Sequence, residues 1–152
     1  MKALTLKPAE IGISRERYPE DVWGILMEFG VEKACVTLVV VADGSTSLYF
    51  SSGGGVIGAG QHDSVRQAST ALLARANRTK SRARPAQDYP LPTRGQVIFY
   101  FLSYDGVLKD SAPEVELLEN RDELSALFHS GHEVISAIRE TQQRKGEPPP
   151  AR

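Results

Sequence analysis

The amino-acid sequence predicts a single α+β domain, an antiparallel sheet made from two β-hairpins and covered by helices. Two long apolar, β-branched runs, 34–42 and 96–104, each lead into an Asp-Gly pair, Asp43-Gly44 and Asp105-Gly106, a strong short-range hairpin signal. Helical patterns stand before, between and after the hairpins. Tight antiparallel connections with helices inserted between them point away from a doubly wound parallel sheet.

Taken in order, the first predicted element is a helix over 19–29. Pro19 suits a first helical position, Glu20 and Asp21 complement the helix dipole, and Val22, Ile25, Leu26 and Phe29 fall at i, i+3, i+4 and i+7. Gly30 then reads as its C-terminal cap. The first hairpin spans 34–51, with 34–42 apolar enough for an inner strand, a two-residue type I′ turn at Asp43-Gly44, and 46–51 as the returning strand. The glycine-rich segment 53–60 leads into a helix over 63–78, with Asp63 or Gly60 near its N-cap. Val65, Ala68, Ser69, Leu72 and Ala76 give that helix a face of small residues that lets another element come close.

Residues 79–94, with Pro85, Pro90 and Pro92, read as a long, exposed and mobile connection. The second hairpin covers 96–111 and turns at Asp105-Gly106. Asn120 with Glu123 and Ser130 with Glu133 both resemble capping boxes, so the C-terminal region divides into helices over 121–129 and 131–144. The domain is expected over 1–145, with 146–152 a disordered tail rich in proline.

Composition narrows the function classes. The 152 residues suit one core, and 41% hydrophobic with 24% charged residues is ordinary globular composition. A net charge of -1 argues against nucleic acid as the partner. Neither a secretory signal nor a membrane-spanning run is apparent, and the single Cys35 has no partner for an intramolecular disulfide, so a cytoplasmic protein is expected.

The chemistry-bearing candidates are few. A strand, a glycine loop and a helix in succession can hold an anion on backbone N–H groups, which makes Gly55, Gly58 and Gly60, with Arg66, the candidate ligand-binding residues, and Tyr49 or His62 possible neighbours. The alternative is a tightly bent connection whose glycines serve packing. Gly60 is followed by Gln61-His62 rather than by Lys-Ser/Thr, so the loop is not a P-loop. His129, His132 and Glu133 suggest a metal by proximity only, and no metal or other cofactor is expected. Cys35 reads as an inert packing thiol in a buried strand. No nucleophile elbow occurs and no catalytic residue is assigned. Charge is segregated along the chain, with Arg75, Arg78, Lys80, Arg82 and Arg84 opposed to Asp110, Glu114, Glu116, Glu119, Asp122 and Glu123. Such asymmetry can orient a partner, or it can reflect two solvated segments.

The succession of 36–41, Asp43-Gly44, 46–51 and an alanine-rich helix with Ala68, Ala71-Leu72 and Ala76, continued by the second hairpin and a final helix, resembles the roadblock-type dynein light chain family over about residues 18–144. The chain departs from that pattern in the 53–60 loop, the 79–94 connection and the helix at 121–129. The resemblance implies a non-enzymatic dimeric module that binds proteins, small GTPases among them, through a sheet extended across two subunits. The resulting expectation is a cytoplasmic interaction or regulatory module acting as a homo-oligomer. The second expectation is a small-ligand or anion-binding protein using the glycine loop.

Overall fold

The structure, a computed structural model, describes residues 7–146. The described residues form strands β1 (Val22–Val31), β2 (Ala34–Val41), β3 (Thr46–Phe50), β4 (Gly55–Val56), β5 (Arg84–Pro85), β6 (Gln96–Ser103) and β7 (Gly106–Pro113), and helices α1 (Asp63–Thr79), α2 (Glu114–Leu118) and α3 (Ser125–Gly146). All seven strands join one antiparallel sheet in the order β4-β3-β2-β1-β6-β7-β5, so the fold is α+β, as expected. No helix among the described residues is long and apolar enough to cross a membrane.

The helix expected over 19–29 is instead the central strand. β1 pairs with β2 on one side and β6 on the other, and all of its residues except Val31 are buried. A strand covered on both faces is apolar at nearly every position, so a subset at i, i+3, i+4 and i+7 always exists within it and does not distinguish helix from strand. Gly30 is therefore no helix cap. A Cβ there would lie 1.8 Å from the Thr93 carbonyl oxygen, and the Gly30 carbonyl accepts the Gly95 N–H at 3.0 Å. Glycine is needed because another backbone rests on β1 at that point.

Both expected hairpins form, with different turns. Val40 pairs with Thr46, and the Val41 N–H donates to the Ser45 carbonyl at 2.9 Å, which leaves the four residues 42–45 as the connection. Gly44 takes φ +96° but Asp43 does not enter the positive-φ region that a type I′ turn requires; its carboxylate instead accepts the Ser45 N–H at 2.8 Å. In the second hairpin Ser103 pairs with Gly106, so Tyr104 and Asp105 form the turn, one position earlier than expected.

The C-terminal region is not divided into helices over 121–129 and 131–144. α3 runs unbroken through Ser130 and Gly131, and the short α2 lies upstream at a segment where no helix was expected. Ser130 is buried within the helix rather than capping it. The Met27 thioether occupies the space a Gly131 Cβ would need, 2.4 Å away, so this glycine brings α3 close to β1. Neither expected box caps α3: just ahead of it the Asp122 carboxylate accepts the Leu124 N–H at 2.9 Å, while Asn120 adopts φ +60° after α2. The tail expected over 146–152 falls, beyond Gly146, outside the described residues.

Two cores follow from the double burial of β1. On one face Ile25, Met27, Phe29, Leu38 and Phe99 pack with Leu72 and Ala76 of α1 and Phe128 and Val134 of α3. On the other, Trp23, Leu26, Val39, Tyr100 and Leu102 pack with Ile13 and Ala86. The 86–92 part of the 79–94 connection thus lies against this second face, where Pro92 is buried and the Tyr100 hydroxyl donates to the Pro90 carbonyl at 3.4 Å, while Ala83 packs into the first core. Asn77 joins α1 to the start of β1, its amide donating to the Val22 carbonyl at 3.0 Å and accepting the Val22 N–H at 2.8 Å.

The backbone contact at Gly30 makes a specific demand on stability. Gly30→Ala should lower the unfolding free energy by about 1–3 kcal/mol, the usual cost of overpacking, as measured by urea denaturation. A loss under about 0.5 kcal/mol, the range of neutral surface changes, would show that the 92–95 segment does not press on β1.

Candidate functional site

The strands of the first sheet half bring three apolar side chains into one cross-strand row. Phe29 pairs with Val36, and Val36 pairs with Phe50. Because strand side chains alternate between faces, Val31 continues this row from Phe29, and Leu48 from Phe50, on the side that carries the helices. α3 supplies the opposite wall with Ile135 and Ile138, one turn apart. Together with Val56 of β4 they line a groove of about 360 Å³, whose rim carries Glu114, His132, Arg139 and Gln142.

The row extends beyond the cover that α3 provides. Val31 and Phe50 remain 42% and 39% exposed, and Ile57, next to Val56, is 77% exposed. Scattered exposed apolar residues are ordinary, but Val31 and Phe50 line one groove and Ile57 follows its wall residue Val56 in the chain, and a contiguous apolar patch marks a binding surface. His132 adds to the apolar character. Its ring lies 5.3 Å from that of Phe29 and 4.5 Å from that of Phe128. Burial lowers its pKa below the ordinary histidine value, with Glu114 opposing, so the ring is neutral at pH 7.

The residues singled out from the sequence occupy other places. Gly55 lies in β4, where a Cβ would meet the Leu48 carbonyl oxygen at 2.3 Å. Gly58 takes φ +75° ahead of a single 3-10 turn over Ala59–Gln61. A Cβ on Gly60 would fall 1.8 Å from the Gly44 carbonyl oxygen, in the first hairpin turn. Arg66 donates from Nε to the Gly60 carbonyl at 3.2 Å. It also borders a cavity of about 390 Å³ beside α1, shared with Tyr18, Ser69, Asn77 and Arg78, but the three glycines are not in its wall. Gly55 and Gly60 therefore serve close backbone packing and Gly58 a positive-φ turn, and the three do not converge with Arg66 on one cavity.

His129 and His132 lie on the same helix, but His129 Nε2 bonds Asn120 Oδ1 at 2.9 Å while His132 faces the groove. Among the described residues no group of three or more His, Cys, Asp or Glu is placed to hold a metal ion. Cys35 is buried, and burial pushes its thiol above the usual range, which suppresses the thiolate. The segregated charges partly satisfy one another. Arg82 Nε bonds Asp110 and Arg82 Nη2 bonds Asp122, each at 2.9 Å, and Lys80 bonds Asp21 at 2.6 Å. The two carboxylates hold the Arg82 guanidinium well above its ordinary pKa. This pairing ties the end of α1 to β7 and to the start of α3.

The groove was missed from the sequence because its walls come from five elements. One signal was present: Phe29 with Val31, and Leu48 with Phe50, are i, i+2 pairs that run on to the strand ends, and reading β1 as a helix concealed the first.

His132 gives the site a pH signature. A histidine whose folded-state pKa is lowered leaves stability intact above the unfolded value of about 6.5 and loses it as pH falls through the folded value. His132→Gln should therefore lose less stability than the wild type between pH 7 and pH 5 in parallel urea titrations, and equal losses would contradict the packing described. Comparison with protein-family models, with characterised proteins and with solved structures found no match.

Proposed function

We propose that the chain is a non-enzymatic interaction module that works as a homodimer, each copy seating Ile57 in the groove of the other. The observation that carries this reading is a knob beside a hole: Ile57 is 77% exposed and directly follows Val56, a wall of the groove. A two-fold contact requires one patch to be complementary to itself, and adjacent knob and hole meet that requirement. The polar rim of Glu114, Arg139 and Gln142 around an apolar centre matches the usual build of a protein interface.

Sheet extension across two subunits, which the resemblance to roadblock-type light chains implies, has less support. Both edges of the sheet are two-residue strands. β5 contains Pro85, which has no N–H to offer, and β4 leaves little ladder beyond its pairs at Leu48 and Tyr49. The reading therefore retains the dimer and moves the interface from a strand edge to the groove. It places the module in the cytoplasm, where a reducing environment keeps Cys35 a thiol.

Sedimentation velocity across concentrations up to about 200 μM, where even weak self-association registers, tests this. The wild type should shift from monomer to dimer. Ile57→Asp, at an exposed position, should stay folded and dimerise at least about tenfold less tightly, since a charge would enter an apolar pocket. A wild type that remains monomeric, or a variant that dimerises equally well, would overturn the reading.

A further inference from the structure

On its second face the sheet holds a carboxylate that is incompletely partnered among the described residues. Glu28 of β1 pairs with Thr37 of β2, and Thr37 pairs with Tyr49 of β3, so the three side chains form a cross-strand row on the face opposite the helices. Glu28 is 5% exposed. Its Oε2 accepts the Thr37 hydroxyl at 3.2 Å, with the Cys35 thiol 4.0 Å away. Among the described residues Oε1 accepts no hydrogen bond, and no Lys, Arg or His forms an ion pair with Glu28.

Buried carboxylates are normally paired or held by several donors, because leaving one without them is costly. Burial pushes this carboxyl above its usual range, with the Thr37 hydrogen bond opposing. An aliphatic residue would fit the surrounding face, which carries Leu26, Val39 and Tyr100, with no polar group to desolvate.

The carboxyl borders a cavity of about 190 Å³, walled by Cys35, Thr37, Tyr49, Tyr89 and Leu91 among others. At roughly 30 Å³ per water the space equals about six waters, below the 300 Å³ or so at which drug-sized pockets begin. It suits a small molecule. Tyr89 and Leu91 reach it from the 86–92 segment and are 46% and 69% exposed, so the side by which a ligand would enter meets solvent. Aromatic rings beside a buried anion favour a cation.

We propose that this cavity binds a small primary amine in its ammonium form, with Glu28 as the counter-charge and Tyr49 and Tyr89 flanking the organic part. The site lies on the opposite face from the groove and does not depend on dimerisation.

The test is a titration of the full chain with 2-phenylethylamine and, separately, with 2-phenylethanol, followed by backbone amide NMR shifts of Cys35 and Thr37. The amine should bind at least about tenfold more tightly than the alcohol, as hydrogen bonds to a charged group allow. Glu28→Gln should abolish that preference. Tyr89→Lys, at an exposed position, should weaken the amine by bringing a competing ammonium to the cavity, and keeps the test intact if Glu28→Gln does not fold. Repeating the titration with N-terminally acetylated protein separates a free amine from the chain's own α-amino group: tighter binding after acetylation identifies the latter as a competitor for the same site. Equal affinity for amine and alcohol, no shift at Cys35 or Thr37 with either, or an unchanged preference in Glu28→Gln, would overturn the proposal.

Discussion

The fold depends on one constraint, that β1 is buried on both faces at once. A strand with Ile25, Met27 and Phe29 on one side and Trp23 and Leu26 on the other cannot lie at a surface, so the sheet needs two covers. α1 and α3 form the first. The 8–13 segment and the 86–92 segment form the second, although neither is a regular layer. The ladders to β2 and β6 satisfy the backbone of β1, and Asn77 completes the account at Val22, beside the register shift between Val22 and Gly24.

The same constraint explains what could be read from the sequence. The hairpins, α1 and the fold class were readable because Asp-Gly pairs, β-branched runs and alternating apolar spacing are local signals. β1 was not, because burial on both faces erases the period that tells strand from helix, and Pro19, Glu20 and Asp21 imitate a helix start. Gly24 and Gly30 inside the segment, with Val, Ile, Trp and Phe around them, were the available evidence for a strand. The division of α3 failed for a related reason. Ser130 and Gly131 look like a boundary, whereas the missing side chain at Gly131 admits Met27. The glycines at 55, 58 and 60 each answer to a packing or backbone demand, Gly55 against Leu48 of β3, Gly60 against Gly44 of the first hairpin turn, and Gly58 at its positive φ.

The groove and the Glu28 cavity were invisible to a reading along the chain, yet they come from the same few strand residues. Phe29, Val36 and Phe50 face the groove, and Glu28, Thr37 and Tyr49, each one residue away, form the opposite row. Strand alternation places an apolar surface and a polar one back to back across a single sheet thickness. A substitution that shifts the backbone at 28–29 or 49–50 therefore reaches both sites, whereas Ile57 and Tyr89 lie outside the shared rows, and Tyr89 lines the Glu28 cavity but not the groove.

Native-state hydrogen exchange of the β1 amides tests the central claim most directly. If β1 is the doubly buried middle of the sheet, the amides of 25–29 exchange only through global unfolding and share the highest opening free energy in the chain. Opening of 25–29 at a free energy well below that of β6 and α3 would contradict a structure organised around this strand.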